Sequence, residues 1–392
     1  MTGKRRIAYV IPGLVWILIQ AIRIYPPAVV TAAGHPDFSY YAYSFSHWSY
    51  SDMVALYGAR RLYLHLWPYF QNVIEYPVVL GLYMSGMALL PGLLGYFLGS
   101  VAGLAAAYLT AALVLSQGRG KSVLWWSLSP LLGVYALLNW DLLGIATWGL
   151  TVLAYERKHY RAAGLWLGLG IATKFFPIVL FPYLGLALFK LRSRGQRVEL
   201  RQFLWGTAIT AVGLNLPFAI FAEEGWSDFF TFNSGRPPDP GIWGVLVHWH
   251  LLNTGNVNLL SLLVTALGGL VLLAAVWKDG LNPIAAGAAG LAWWLLCNKV
   301  YSPQYLLWVY YAALWLEINP IQLVVMNIAG LLDFGMAMQW LALGTTGNPL
   351  LSRFVAVVVP PVIAIRDLTL AWAAARPWWR RRVHNRSIAR EV

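Results

Sequence analysis

The sequence predicts an all-α polytopic membrane protein, and three observations lead to this fold class. Of the 392 residues, 59% are hydrophobic and only 11% are charged, whereas soluble domains carry about 25% charged residues. The apolar residues form long runs, and a membrane-crossing helix requires about 20 such residues. The basic residues stand in short clusters between the runs, a pattern typical of membrane topology. We therefore expect a single transmembrane domain over residues 1–392, with about twelve transmembrane helices.

The net charge bears on the binding partners of the chain, and the cysteine content bears on disulfide bonds. The net charge of +13 does not predict a nucleic-acid partner, because membrane topology accounts for the basic clusters. Cys297 is the only cysteine, which excludes an internal disulfide bond. The lipid bilayer is therefore the partner that composition predicts.

The first apolar run, residues 7–25, predicts a first helix that leaves the membrane through Pro26 and Pro27. The basic residues 4–6 precede this run, which places the N-terminus in the cytoplasm. The run is longer than the apolar core of a typical signal peptide, so we expect an uncleaved helix.

A long first extracytoplasmic loop, residues 30–91, follows the first helix. Its short amphipathic segments carry many Tyr and Trp residues, which prefer the membrane interface, so we expect interfacial helices there. The apolar run at 76–90 is interpreted as a helix that dips into the outer leaflet. A full crossing there would place Arg119 and Lys121 on the extracytoplasmic side, against the positive-inside rule.

The remaining apolar runs alternate across the membrane. We expect helices two to twelve to end near residues 116, 138, 156, 173, 190, 221, 279, 297, 317, 343 and 365. A second extracytoplasmic loop is expected at 223–256 and a basic cytoplasmic tail at 366–392. This topology places 21 of the 28 Lys and Arg residues on the cytoplasmic side, as the positive-inside rule requires. It predicts a multi-pass plasma-membrane protein with both termini in the cytoplasm.

The extracytoplasmic side of this topology carries few cations and many acids. The cations there are Arg60, Arg61, Lys174, Arg236, Lys299 and Arg353. The acids there are Asp37, Asp52, Glu75, Asp141, Glu223, Glu224, Asp228 and Asp239. Charges near a bilayer are costly unless they are solvated or paired, so their concentration on one side indicates a functional site. Ordinary solvated loops are the alternative interpretation.

Four segments on that side carry a resemblance to a known family. The first is Asp37 in the long first loop, with Glu75-Tyr76-Pro77 further along. The other three are Asn139-Trp140-Asp141-Leu142-Leu143, residues 168–177 and residues 298–305. Together they resemble the GT-C superfamily of integral-membrane glycosyltransferases over nearly the whole chain. Within it, they resemble most the polyprenyl-phosphate-mannose-dependent α-mannosyltransferases of actinobacteria, of the phosphatidylinositol-mannoside type.

The resemblance implies an inverting glycosyltransferase that acts on the extracytoplasmic face. Such an enzyme would move a hexose, with mannose favoured, from a polyprenyl-phosphate sugar donor to a lipid-linked or cell-envelope glycan acceptor. The family's first-loop acid is the general base, and it corresponds to Asp37. A positioned carboxylate can take the proton of an acceptor hydroxyl as the new bond forms. Asp52 and Glu75 are the alternatives for the base, and helix capping is the alternative role for Asp37.

A phosphate leaving group needs no general acid, but it needs cations and hydrogen-bond donors. The candidates for binding the donor phosphate are Lys299, Lys174, Arg236, His248 and His250. The candidates for the substrate pocket are Tyr40, Tyr41, Asp52, Glu75, Tyr76, Asn139, Asp141, Trp243, Tyr301 and Gln304. Two of these have structural alternatives. Lys174 could extend its charged end to the membrane surface at a helix break, and Asp141 suits a helix N-terminus.

We expect no metal and no other cofactor. The family members that use a metal carry paired acids in the first loop, whereas Asp37 has no adjacent acid. Asp333, an acid inside a predicted helix, is a further candidate for function. A polytopic lipid or sugar transporter, or a flippase, is the alternative function. Transporters often place ionisable residues near the bilayer midplane in two repeats, whereas this sequence has no internal repeat and concentrates its polar residues on one side.

Overall fold

The structure, a computed structural model, describes residues 3–192, 197–317 and 319–391. Within these ranges every regular element is helical, apart from one isolated bridge between Pro68 and Asn72. The all-α prediction is therefore confirmed. The predicted basic clusters at 4–6 and 380–382, and the turn at 193–194, lie outside the residues whose side chains are described.

The described ranges contain nineteen α-helices, labelled in chain order. The first ten are α1 (Gly3–Ala32), α2 (Tyr40–Ser46), α3 (Asp52–Ala59), α4 (Val78–Met87), α5 (Gly92–Arg119), α6 (Ser122–Leu128), α7 (Leu131–Tyr135), α8 (Asp141–Glu156), α9 (Tyr160–Lys174) and α10 (Leu180–Arg192). The other nine are α11 (Arg197–Phe221), α12 (Glu223–Gly235), α13 (Ile242–His248), α14 (Thr254–Asp279), α15 (Pro283–Cys297), α16 (Tyr305–Leu314), α17 (Pro320–Thr345), α18 (Leu351–Val357) and α19 (Val359–Glu391). Two short 3₁₀ helices, Leu62–Leu64 and Phe176–Val179, follow α3 and α9.

Six helical segments in the described ranges are long and apolar enough to cross a membrane. They are Ala8–Ala32, Gly92–Arg119, Arg197–Phe221, Thr254–Asp279, Pro320–Thr345 and Leu351–Trp378. Several others are shorter: α8 has 16 residues and α9 has 15, below the about 20 that a full crossing requires. The apolar helices therefore support a multi-pass membrane protein, whereas twelve regular transmembrane helices are not confirmed.

The first helix is longer than the sequence predicts. It is expected to end at residue 25, whereas α1 continues through Pro26 and Pro27 to Ala32. Membrane helices tolerate proline where other groups satisfy the freed backbone atoms. Thr31 Oγ1 donates to the carbonyl of Pro27 at 2.6 Å, so the exit turn is still hydrogen-bonded.

The predicted third helix, residues 122–138, is interrupted. Ser129 has an extended backbone with φ −62° and ψ 119° and separates α6 from α7. The cause is Pro130, since a residue that precedes proline is disfavoured in the helical region. The chain therefore passes this part of the bundle as two short helices.

The C-terminal helix is longer than predicted, and it packs against the bundle beyond residue 365. The twelfth helix is expected to end at residue 365, with a basic tail from 366, whereas α19 continues to Glu391. Arg366 is buried, lies 3.8 Å from the carboxylate of Asp333 in α17, and stacks over the ring of Tyr301. A buried charge is tolerated when it is paired, so the pair fixes α19 to the bundle beyond residue 365.

The two predicted extracytoplasmic loops contain helices. The first holds α2, α3 and α4, and the second holds α12 and α13. With 10 residues, α4 is too short for a full crossing, and the interpretation of 76–90 as a helix that dips into the outer leaflet stays a prediction. Their depth in the membrane interface stays a prediction.

The inter-helix turns meet in two groups at the ends of the bundle. In one group, Arg119 pairs with Glu156 and donates to the carbonyl of Trp315 at 2.7 Å. In the other, Ser51 donates to the carbonyl of Leu137 at 2.6 Å, which ties the first loop to the turn before α8. The second group of turns surrounds the cavity described below.

Glycines allow α9 and α11 to approach closely. A Cβ added to Gly206 in α11 would collide with the carbonyl oxygen of Arg161 in α9, whereas a Cβ on Gly213 of the same helix would meet nothing within 4 Å. Small residues at helix contacts are a main source of packing energy in membranes. This contact supports α9, which carries Lys174 at its C-terminal end.

We expect Gly206→Ala to destabilise the protein, because the added methyl group forces α9 and α11 apart. Overpacking of this kind costs about 1–3 kcal/mol. Gly213→Ala is the matched control on the same helix, and it should leave stability unchanged or slightly raised, since alanine is the better helix former. Thermal unfolding in detergent measures both, and equal stability of the two variants would contradict the packing that we describe.

Candidate functional site

A cavity of about 730 Å³ lies at the second group of turns. Its walls come from the first loop, the turns before α8 and after α9, α12, the turn between α15 and α16, and α17. The polar and charged side chains in the wall are Tyr50, Asp52, Glu75, Tyr76, Asn139, Asn233, Arg236, Lys174, Asn298, Lys299, Ser302, Gln304 and Tyr305. A concave site with a few convergent polar groups is the usual form of a small-molecule site.

Eight of the residues predicted from sequence line this cavity. They are Asp52, Glu75, Tyr76, Asn139, Lys174, Arg236, Lys299 and Gln304. They come from five parts of the chain, namely the first loop, the turns at Asn139 and Lys174, the second loop and the turn at 299–304, and the two furthest apart are separated by 252 residues. The fold therefore brings these parts of the chain to one cavity.

The other predicted residues lie elsewhere. Tyr40 and Tyr41 line a separate groove on the other side of α3, and Trp243 and Tyr301 line a small cleft beside Arg366. Asp141 lies behind the cavity wall. His248 and His250 are exposed near the end of α13 and do not line the cavity. The structure therefore separates the two histidines from the three cations in the cavity wall.

Asp37 is exposed in the short segment between α1 and α2 and does not line the cavity. Its role as general base stays a prediction. The two alternative candidates for the base, Asp52 and Glu75, both line the cavity. Glu75 forms an ion pair with Arg60 at 2.6 Å and is largely buried, which leaves Asp52 as the acid that the geometry favours.

Asp52 is held in place by both its backbone and its side chain. It is the first residue of α3, and its backbone N–H donates to the carbonyl of Leu138 at 2.8 Å. The carboxylate accepts hydrogen bonds from the hydroxyl of Tyr50 at 2.7 Å and from Nδ2 of Asn139 at 2.5 Å. Two donors on two different oxygens fix the plane of the carboxylate relative to the cavity.

The environment of Asp52 raises the pKa of its carboxyl group. Loss of hydration raises the pKa of the Asp52 carboxyl above its usual range, while the hydrogen bonds from Tyr50 and Asn139 and the charge of Lys174 lower it in part. A higher pKa makes a carboxylate a stronger base. Raised acid pKa values are typical of functional sites.

Lys174 lies behind this carboxylate, at the C-terminal end of α9. Its ammonium group forms an ion pair with Asp141 at 3.1 Å, donates to Oδ1 of Asn139 at 2.7 Å, and lies 5.0 Å from the centre of the Tyr76 ring. Both charges are almost fully buried. The next residue, Phe175, lines the cavity with a positive φ of 59°, a strained conformation of the kind that concentrates at functional sites.

Lys299 and Arg236 supply the other positive charge in the wall. The Lys299 ammonium group donates to the carbonyls of Ser234 and Arg236, both at 2.6 Å, and so binds the C-terminal end of α12. Arg236 makes one long ion pair, 3.5 Å, with Asp239. Burial and the nearby Arg236 lower the pKa of Lys299. The two cations therefore lie close together, with the single carboxylate of Asp239 beside both of them.

Sequence reasoning missed two features of the wall. The first is Tyr50, the donor to Asp52, although it stands only two residues before that acid. The second is a group of aromatic side chains formed by Phe229, Phe230 and Phe232 of α12 and by Tyr305 and Trp308 of α16. The available signal was the aromatic run at 229–232 in the second loop. Aromatic rings of this kind offer apolar faces to a bound molecule.

No group of three or more His, Cys, Asp or Glu side chains that could hold a metal ion occurs in the described ranges. A structural or catalytic zinc site would need at least three such ligands. The expected independence from metals stays a prediction.

We expect Lys174→Met to destabilise the protein, because it leaves Asp141 buried without a counter-ion. Removal of one partner of a buried ion pair costs about 3–5 kcal/mol. Lys278→Met, at an exposed position at the end of α14, is the control and should have little effect.

Thermal unfolding of both variants tests this expectation. Addition of Asp141→Asn to Lys174→Met should recover part of the loss, since the unpaired charge is then removed. A Lys174→Met protein as stable as the Lys278→Met control would show that the pair contributes nothing.

Comparison with known proteins assigns the chain to a family. Residues 74–303 match the family model described as Glycosyltransferase family 87. No curated protein and no solved structure matches the chain. The matched range contains six of the eight predicted residues that line the cavity, whereas Asp52 precedes it and Gln304 directly follows it. Because the match covers more than half of the 392 residues, the chain belongs to glycosyltransferase family 87.

Proposed function

We propose that this glycosyltransferase moves a hexose from a polyprenyl-phosphate sugar to a lipid-linked or cell-envelope glycan acceptor, with Asp52 as the general base. The observation that carries the proposal is the Asp52 carboxylate in the wall of a cavity that also holds Lys299 and Arg236. The membrane-embedded GT-C enzymes that the sequence resembles combine a base and a phosphate site in this way. Mannose is the hexose that the resemblance favours.

The proposed reaction is a single displacement with inversion at the anomeric carbon. The acceptor hydroxyl attacks that carbon, Asp52 takes the hydroxyl proton, and the bond from the sugar to the phosphate oxygen breaks. Each carboxylate oxygen has two lone pairs, and the contacts with Tyr50 and Asn139 use one on each oxygen. Asp52 can therefore accept a proton without giving up the contacts that hold it.

The leaving phosphate carries the negative charge that develops, so cations fixed beforehand stabilise it. Lys299 has three N–H donors, and backbone carbonyls take two of them. Arg236 keeps most of its five donors, because its contact with Asp239 is long. An anion between the two would compensate their mutual repulsion, and a charged hydrogen bond to a phosphate is stronger than a neutral one.

The positive-inside count supports an extracytoplasmic site. The turns around the cavity carry few of the basic residues, whereas the turns around Arg119 and Arg157 at the other end carry several. A polyprenyl-phosphate donor suits a cavity at this end of the bundle, since its tail would lie in the bilayer and its phosphate near the membrane surface. No observation favours the transporter alternative, and family membership favours transfer.

We expect Asp52→Asn to abolish sugar transfer while protein stability stays near that of the wild type. Loss of a general base typically costs about 10²–10⁴ in rate. The amide would keep both contacts, because its oxygen can accept from Asn139 and its NH₂ can donate to the hydroxyl of Tyr50. The assay is transfer of radiolabelled sugar from polyprenyl phosphate in nanodiscs.

Asp37→Asn is the matched variant for this test, since Asp37 is the acid that the family resemblance nominates. It should transfer sugar at the wild-type rate if Asp52 is the base. Loss of transfer in Asp37→Asn, together with normal transfer in Asp52→Asn, would return the role to Asp37.

We expect Arg236→Ala to raise the KM for the donor about 10- to 100-fold, the equivalent of one charged hydrogen bond to phosphate. Arg353→Ala, at an exposed position outside the cavity, is the control and should keep the wild-type KM. Lys299→Ala should raise the KM and also lower thermal stability, because it releases the end of α12. A wild-type KM in Arg236→Ala at low donor concentration would remove this residue from the phosphate site.

A further inference from the structure

Asn139 occupies a position in which all of its hydrogen-bonding capacity is used. Its Oδ1 accepts from the ammonium group of Lys174 at 2.7 Å and from the backbone N–H of Trp140 at 2.6 Å. Its Nδ2 donates to Asp52 at 2.5 Å and to the hydroxyl of Tyr76 at 3.0 Å. An amide has two acceptor and two donor positions, so every one of them has a partner.

These contacts define which way the amide points. A flipped amide would place its NH₂ group against the ammonium of Lys174 and against an N–H, and its oxygen against the Asp52 carboxylate. Three of the four contacts would then be repulsive. The side chain is also only 3% exposed, so water cannot replace the lost partners. The orientation of Asn139 is therefore set by its surroundings.

The ammonium group of Lys174 makes its polar contacts within this arrangement. Its charge is divided between Asp141 and the oxygen of Asn139, and its side chain is only 7% exposed. An ammonium group bound to an amide oxygen draws electron density from the nitrogen, so hydrogen bonds in such a chain strengthen one another. The charge of Lys174 thus reaches Asp52 through the amide.

We propose that Lys174 and Asn139 are positioning residues for Asp52, and that Lys174 orients and polarises the Asn139 amide instead of binding the donor phosphate. The proposal rests on the role of Asp52 as the base. It goes beyond that role because it assigns a cation in the cavity wall to the base side of the reaction. Lys299 and Arg236 then remain as the cations for the leaving group.

The charged and titratable groups around Asp52 set the expected pH dependence. They are Tyr40, Tyr50, Tyr76, Tyr96, Lys174 and Asp141, together with the polar Asn139. The general base acts in its ionised form, so the rate falls as the pH decreases through the pKa of Asp52. Any change that removes a donor from the carboxylate raises that pKa and moves this acid limb of the rate profile to higher pH.

The test compares Asn139→Leu and Asn139→Asp with the wild type by the pH profile of kcat and by the KM for the donor. Asn139→Leu removes the donor and leaves the pair of Lys174 and Asp141 intact. We expect kcat to fall about 100-fold, the effect of a misplaced catalytic group, with the acid limb at higher pH and the donor KM unchanged. Asn139→Asp places a second carboxylate beside Asp52, so its limb should lie at still higher pH.

Asn327→Leu is the matched control. Asn327 is a half-buried residue of α17 that accepts from Ser129 Oγ at 2.6 Å and lies outside the cavity wall. It should keep the wild-type pH profile, and size-exclusion chromatography gives the folded fraction of each variant.

Two outcomes would overturn the proposal. They are an acid limb that does not move in Asn139→Leu, whether or not kcat falls, and a raised donor KM at wild-type kcat. If Asn139→Leu does not fold, the order of the limbs in Asn139→Asp and the wild type decides. Normal transfer by Asp52→Asn would instead refute the base itself, so the two failures are distinguishable.

Discussion

The central constraint on the site is that the Asp52 carboxylate must stay ionisable although it has lost most of its hydration. A desolvated carboxylate becomes protonated unless donors or cations stabilise its charge. Here Tyr50 and Asn139 each supply one hydrogen bond, and Lys174 adds a positive charge through the amide. The loss of hydration outweighs these stabilising contacts, so the pKa of the Asp52 carboxyl stays raised. A residue in this state can take up a proton and release it again.

This requirement explains why so much of the bundle converges on one turn. The contacts of Ser51 and Asp52 with Leu137 and Leu138 hold α3 against the turn before α8. The close packing of α9 on α11 supports the helix that presents Lys174. The proposed base must be held within a fraction of an ångström to act on a hydroxyl, and rigid helices on both sides hold Asp52 better than a free loop would.

The fold class follows from composition and from the length of the apolar runs. A chain with 59% hydrophobic residues cannot cover its surface with polar groups, and apolar runs of about 20 residues predict membrane helices. The number of spans does not follow, since apolar runs do not show where a proline such as Pro130 divides a helix. In the site, the cations and Asn139 stand in turns that the sequence marks clearly. The choice between Asp37 and Asp52 depends on which acid meets the turn at 137–139, and a local pattern carries no information about a contact between residues 86 apart. Tyr50 was missed for the same reason, as its hydroxyl matters only through the acid that it contacts.

Lys299 shows how the second loop is connected to the same chemistry. Two of its three donors hold the C-terminal end of α12, and that helix carries the aromatic side chains Phe229, Phe230 and Phe232 of the cavity wall. The carbonyl of Lys299 accepts from the backbone N–H of Asp239, whose carboxylate is the partner of Arg236. A phosphate that draws Lys299 or Arg236 toward the cavity would therefore act on α12 as well. Under the proposed function, binding of the donor phosphate and the position of the aromatic wall would be linked through the Lys299 side chain, since a ligand acts on a second element through the contacts that both share.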